Sequence, residues 1–293
     1  MKWRNLPFRL ESELVKRWFA TWKLRPSSDP FLSGDGYRAL TSWRYETETR
    51  DTFSSVRVPE GSVVFCDAWL LEEFLKAVAP KLNPHLTVVS SNGDPNFTVD
   101  KLGWIPATVD RLWVQNCDVV DSRVSALPIG LENARLHTNG IVGDFVALRR
   151  GPAPSRNRIL WGFSEVTNPV VRSTARRALE RCAIADRIVA VNSRAYRRKA
   201  AGYRFLASPP GNGLDCHRTW EAFYLRVVPI VLRCVMTERF AALGLPLWLV
   251  DSYEELAEET EQTLDARYRQ LAGGFSHPAL WMDYWKKVIF DQG

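Results

Sequence analysis

The stretch FLASPPGNGLDCHRTWEAFYLRVVPIV, residues 205–231, decides the fold. An apolar strand, "YRFLAS", runs into the turn "PPGNGLD"; a helix starts near Cys216; a second apolar strand, "VPIVLR", follows. Strand, turn, helix and strand in that order form the unit of a parallel sheet. The helix start leaves backbone N–H groups unpaired and carries the positive end of the dipole. Asp215 suits an N-cap. Gly211 and Gly213 let the loop backbone approach a ligand closely, and Arg218 adds a full charge in the first turn. Together these suit a diphosphate. Glu221 lies one turn on, on the face of Arg218 and His217, where a carboxylate can accept hydrogen bonds from both hydroxyls of a ribose. Trp220, Tyr224 and Val227 form the opposite, core-facing stripe. The alternative reading is a Gly-rich connection with Arg218 and Glu221 as a surface ion pair. The phosphate-loop pattern GxxxxGK[ST] and the dinucleotide pattern GxGxxG are both absent.

Working outward, the same alternation fills the chain. In the first half, "SVVFCDAWL", "LTVVSSNGD", "RLWVQNCDV" and "VSALPIGLEN" read as buried strands, with the helix "LLEEFLKAVAPKL" after the first. The basic, Pro- and Gly-containing stretch "RRGPAPSRNR" (149–158) reads as a linker. The pattern then restarts with strand "ILWGFSE", helix "NPVVRSTARRALERC" with Pro169 in its first turn, a short strand or loop "DRIVAVN", helix "SRAYRRKAAG", and the 205–231 block. "PLWLVDSYEEL" is one more strand, ending at Asp251, and the remaining segments are helical. The expected class is α/β: two Rossmann-like lobes with parallel sheets facing a cleft, and a C-terminal helical tail. The domains read as 1–151, 152–265 and 266–293, a return of the last helices to the first lobe being left open. In such sheets ligands bind at the carboxyl ends of the strands.

The 293 residues are 46% hydrophobic and 25% charged with a net charge of +6, globular proportions with a mild pull toward anionic partners. The five cysteines are scattered without a CxxC pair, which argues against a disulfide framework and a structural zinc site and for a reducing, cytoplasmic compartment. No apolar run approaches the roughly 20 residues that span a bilayer. "VKRWFATWKLR" mixes Trp and Phe with Lys and Arg. It reads first as an amphipathic surface helix, with peripheral association on the inner face of a membrane as the alternative.

The 205–231 block also carries a resemblance. It is similar to the nucleotide-sugar-binding block of exostosin-like glycosyltransferases of the GT-B fold, in which a strand, a Ser-Pro-x-Gly-type loop and an R-x-x-E helix precede a "PIV" strand. "VSSNGDPNFT", "LWVQNCDVVDSRVSALPIGLEN", "WGFSEVTNPVVR" and "LPLWLVDSYEEL" fall in the family's order, so the resemblance spans roughly residues 60–260. Arg226 departs from it, since a small residue, usually Gly, is expected before "VVPIV".

The resemblance implies a metal-independent, inverting transfer of a sugar from a nucleotide-activated donor to a glycan or other hydroxyl acceptor, as in cell-surface polysaccharide synthesis. No cofactor, no metal and no nucleic-acid partner are expected, and the chain carries no DxD motif. Donor contacts fall to Ser208, Gly211, Asn212, Gly213, His217, Arg218 and Glu221, with Arg172 from "TNPVVR" as a second cation beside Asn168 and Thr167. Inversion needs a general base from the first lobe. Asp94, at the end of "LTVVSSNG", is favoured, with Glu132 second and Asp67 and Asp118 as further carboxylates at strand ends. Asn92 and Asn116 are the acceptor-side amides, and Trp69, Trp104 and Trp161 are candidates for stacking on a sugar or base. His217 and Glu221 have helical spacing for two metal ligands but lack a third. The alternative function is a non-catalytic nucleotide- or nucleic-acid-binding protein of the same fold. The two part on whether the cations converge on one cleft with a first-lobe carboxylate or spread over an exposed stripe.

Overall fold

A computed structural model describes residues 5–53, 57–189 and 192–291. Its strands form two five-stranded sheets, both wholly parallel. The first contains β1 (Trp43–Tyr45), β2 (Val63–Asp67), β3 (Leu86–Ser91), β4 (Val109–Val114) and β5 (Val124–Ala126), in that spatial order. The second runs β10 (Trp248–Val250), β9 (Val228–Leu232), β8 (Tyr203–Ala207), β6 (Arg156–Trp161), β7 (Ala185–Arg187). Strand order reverses around β6, which makes a switch point where chain ends diverge and a ligand site opens.

The first lobe carries helices α1 (Leu6–Thr21), α2 (Gly34–Ala39), α3 (Arg50–Phe53), α4 (Leu71–Glu73) and α5 (Val142–Arg150). The second carries α6 (Pro169–Arg181), α7 (Ser193–Ala200), α8 (His217–Tyr224), α9 (Val235–Ala242) and α10 (Glu261–Leu271), and α11 (Met282–Phe290) closes the chain. β2 (VVFCD) and β9 (VPIVL) are near-continuous apolar runs, and β4, β6 and β8 gather most of their apolar residues in the C-terminal half of the strand, where most are buried. Val64, Phe65, Val88, Leu112, Ile159, Phe205, Val228 and Ile230 are all buried. The architecture is therefore α/β with two parallel-sheet lobes, the layout of the GT-B fold.

Three local readings change. β1 has the sequence "WRY" and pairs with β2 through three residues, a strand too short to leave an apolar run. The helix expected over "LLEEFLKAVAPKL" is a series of short turns: α4, a wide-turn segment Phe74–Val78 and a tight turn Ala79–Lys81. Pro80 offers no N–H and its ring crowds the preceding turn, so a regular helix cannot run through it. Of "DRIVAVN", Asp186 and Arg187 belong to β7 (Ala185–Arg187), and residues 190 and 191 lie outside the described residues.

The lobes are bound together by the C-terminal segment and by α8. Met282 N–H donates to Pro30 O at 3.0 Å, and the Trp285 ring stands edge-on to Trp113, 5.9 Å between centres. The Tyr224 hydroxyl accepts from Leu32 N–H at 3.1 Å and donates to Leu280 O at 3.0 Å, so one buried phenol joins both lobes and the tail. Arg226 sits at the end of α8 with φ 61°, in the left-handed region that favours glycine. Its guanidinium donates to Gly151 O and Pro152 O at 2.6 and 2.9 Å, contacts that glycine would lack.

Candidate functional site

β8 ends at Ala207, and the loop 208–216 leads to α8 at the carboxyl edge of the second sheet. The helix begins at His217 with Cys216 as N-cap, and Cys216 makes no side-chain cap. Asp215 is not the cap. It is buried, and its carboxylate accepts four N–H contacts: from Ile129 at 2.8 Å, from Cys216 at 2.9 Å, and from Trp220 Nε1 at 3.0 and 2.9 Å. Burial pushes its carboxyl up to about 7 against the pull of these donors.

The other polar groups of the loop behave alike. Asn212 Nδ2 donates to Asp94 Oδ2 at 3.0 Å, Leu214 N–H to Asn96 Oδ1 at 3.2 Å, and Asp215 N–H to Asn116 Oδ1 at 2.8 Å. His217 Nδ1 lies 2.8 Å from Gly130 O; a carbonyl can only accept, so the proton is on Nδ1 and Nε2 keeps its lone pair. Burial holds this imidazole below its usual range. Most of the polar residues that distinguish the loop are hydrogen bonds between lobes. A sequence cannot separate such bonds from ligand contacts, because both put polar groups at a strand end.

Several expected donor contacts thereby acquire other work. Ser208 is buried and its Oγ lies 2.9 Å from Thr219 Oγ1, tying β8 to α8. A Cβ on Gly213 would come within 2.5 Å of the Asn116 amide, so glycine here permits lobe contact and not ligand approach. Asn116 is fully buried at φ 56°, donating to Asp94 O at 3.1 Å; it belongs to the lobe junction and not to an acceptor surface. Arg172 is buried and donates to Pro210 O and Ser164 O, each at 2.8 Å, and to Pro209 O at 3.4 Å. It braces the loop, and its charge has no carboxylate partner among the described residues.

What faces the cleft is narrower. A cavity of about 770 Å³ between the lobes is lined by Arg172, Arg218, Glu221, Gly211, His217 and Asp94, among others. Arg218 does not pair with Glu221. Its Nε donates to Tyr196 Oη at 3.2 Å and its Nη2 to Gly162 O at 3.3 Å, which excludes the surface ion-pair alternative. Glu221 is buried, and its carboxylate has no hydrogen bond among the described residues. Burial pushes its carboxyl up to about 7, with Arg218 and Arg197 pulling it back. An unsatisfied carboxylate and two guanidiniums without acids thus share one helix start.

Asp94 follows β3 at the opposite wall. It lines both the cleft and an adjoining hollow of about 240 Å³ in the first lobe, as do His217 and Ile129. That hollow also contains Asn92, Glu132 and Trp69, a residue 64% exposed. Asn92 has φ 67° and its Oδ1 accepts from Asn133 Nδ2 at 2.8 Å. Glu132 is committed elsewhere: its carboxylate accepts the backbone N–H groups of Thr138, Asn139 and Gly140 at 3.1, 2.7 and 3.3 Å and the Asn139 amide at 3.0 Å. This geometry favours a loop brace over a base. Asp67, which accepts from Trp69 N–H, and Asp118 line neither space. Trp161 reaches the cleft, whereas Trp104 lies under Lys76 and Lys101.

Two cleft residues escape a reading of the sequence. Arg187 ends β7 and lies over the Trp161 ring at 5.3 Å, and Tyr196 projects from α7 to Arg218. The signal for Arg187 is its place at the carboxyl end of a parallel strand next to the switch point; Tyr196 leaves none.

No family model matches the chain, and no curated protein does. Among solved structures it is similar to the spinosyn rhamnosyltransferase SpnG, with 14% identity over 82% of this chain and 75% of that one and a TM-score of 0.42. It is also similar to SpnG complexed with spinosyn aglycone and to SpnG complexed with thymidine diphosphate. These two share 12% and 10% identity with it, cover 99% of this chain and 79% of theirs, and have TM-scores of 0.35. At these scores the likeness carries no argument about the chemistry of this chain.

Proposed function

We propose that the chain is a glycosyltransferase that moves a sugar from a nucleotide-activated donor to a hydroxyl acceptor with inversion and without a metal. One observation carries the reading: at the start of α8, Arg218 and Arg172 bring positive charge without carboxylate partners among the described residues, and one turn on Glu221 keeps an unpaired carboxylate. A diphosphate leaving group develops charge that fixed guanidiniums and helix N–H groups stabilise. Glu221 accepts from the ribose hydroxyls. The alternative of a nucleic-acid binder is disfavoured because these cations line the cleft that also contains Asp94, and do not form an open stripe.

Asp94 serves as base. The acceptor hydroxyl enters from the small hollow beside Asn92 and Trp69 and loses its proton to the Asp94 carboxylate. Its oxygen attacks the anomeric carbon as the bond to the diphosphate oxygen breaks, and the nucleoside diphosphate departs with the electron pair. The bond from Asn212 to Asp94 Oδ2 couples the base to the donor loop. The similarity to exostosin-like enzymes points to a glycan acceptor. A thermal-shift screen of nucleoside diphosphates and CMP tests the donor site. Stabilisation by one of them, lost in Arg218→Ala and Glu221→Ala, is the expected result; no shift with any nucleotide refutes it.

A further inference from the structure

α1 turns one face inward and leaves the other bare. Inward, Ser12 Oγ donates to His137 O at 2.7 Å, and Glu11 meets His137 Nε2 at 3.2 Å and the Arg194 guanidinium at 3.0 and 3.1 Å. Phe8 lies under that guanidinium at 5.3 Å. The helix is thus fixed to both lobes. Outward, Leu6, Leu10, Leu14 and Trp18 are 42, 55, 68 and 53% exposed, and Trp22 and Leu24 beyond the helix are 65 and 42% exposed. Four residues advance a helix by one turn and about 40°, so the four helical side chains spread over an arc of about 120°. A soluble surface rarely leaves so continuous an apolar strip without a partner.

The charge beside it names the partner. Arg17 falls within the arc, Arg9 and Lys16 flank it, and Lys23 follows the helix, against Glu13 as the one acid of the solvent side of α1, paired to Lys16 at 3.6 Å. Leu and Trp on one flank and cations on the other fit the interface of an anionic bilayer, where indoles sit at headgroup level. A second copy of the chain docked on the same face would set the cations of one helix against those of the other.

We propose that α1 is a docking surface for an anionic lipid bilayer. Its position adds a consequence. The turn against which it packs, Ala134–Leu136, contributes Arg135 and Leu136 to the rim of the small hollow. Docking therefore sets the proposed acceptor entrance beside the lipid surface. That consequence rests on the transferase reading; the docking does not.

The test is co-sedimentation of the full chain with vesicles of phosphatidylcholine alone and of phosphatidylcholine with phosphatidylglycerol. The chain is expected to pellet with the anionic vesicles only. Binding should weaken about tenfold or more in Leu10→Ser/Leu14→Ser/Trp18→Ser, and likewise in Arg9→Gln/Arg17→Gln/Lys23→Gln or at high salt. Both variants should keep the wild-type melting temperature and nucleotide-induced thermal shift, so a failed donor site and a failed membrane site are read separately. No pelleting with anionic vesicles overturns the proposal, as does pelleting that both variants retain. A wild-type dimer in sedimentation equilibrium that the apolar variant dissociates assigns the face to a second copy and also overturns it.

Discussion

The carboxylate of Asp215 accepts the backbone N–H of Ile129 at 2.8 Å, so a side chain of the second lobe closes the backbone of the first. Its other oxygen accepts from Cys216 at 2.9 Å, and Trp220 Nε1 bridges both. Asp215→Asn replaces one acceptor oxygen by an amide donor and leaves a buried N–H facing it. Such a loss costs about 2–3 kcal/mol. Urea unfolding should shift to lower midpoint, with Asp215→Ala lower still. Wild-type stability in Asp215→Asn would mean that the lobes do not depend on this carboxylate.

Arg218 lines the cleft, and its donors are met only by a tyrosine hydroxyl and a carbonyl. Arg218→Ala removes a charge-assisted contact to a diphosphate and should raise the dissociation constant of the bound nucleotide about 10- to 100-fold. Melting temperature without ligand should change little, since no buried acid loses its partner. Isothermal titration with the nucleotide found by thermal shift measures it. Undiminished affinity would remove Arg218 from the site.

Glu221 supplies a pH prediction. Burial raises its carboxyl from the ordinary 4.5 to about 7 in the folded chain. A raised value means that the folded state holds the proton more tightly than the unfolded one. The resulting stability is complete below pH 4.5 and is lost as pH climbs through about 7, to a total on the order of 3 kcal/mol. Asp215 shares the direction. Glu221→Gln removes its part, so melting curves of this variant between pH 4.5 and 7.5 should fall less steeply than those of the wild type. Parallel curves would show that Glu221 is charged in the fold throughout.

The sequence revealed the frame better than the contacts. β2, β3, β4, β8 and β9 are legible because the stretches of them that are buried between helices are short apolar runs, such as Leu112–Val114 in β4 and Phe205–Ala207 in β8. β1 is not, because "WRY" has no pattern of its own and exists by pairing with β2. Arg218 and Glu221 are legible because helix periodicity alone puts them on one face. Arg187 and Tyr196 reach the same cleft only through the placement of β7 and α7, which no local pattern encodes. Asn116 and Gly213 look like ligand groups in a string of letters, and Asp215 like a helix cap; they become lobe contacts only once Asn116 stands against Gly213 and the Asp215 N–H, and the Ile129 N–H against the Asp215 carboxylate.

Asp94 carries the last prediction. It is the only carboxylate among the described residues that borders both the cleft and the small hollow. Asp94→Asn keeps the size of the side chain and an oxygen for Asn212, yet cannot take a proton. Donor binding should stay within about twofold of wild type, while the turnover rate falls about 10²- to 10⁴-fold, the usual worth of a positioned general base. His217 is the competing base at that junction: with Nδ1 tied to Gly130 O, its Nε2 holds a lone pair. The two are separable. A His217→Gln variant can retain the amide donor to Gly130 O while losing the imidazole. If turnover survives Asp94→Asn and collapses in His217→Gln with donor affinity intact, the proton goes to the imidazole. If Asp94→Asn alone collapses, the carboxylate takes it, and His217 serves to hold the lobes at the distance the transfer requires.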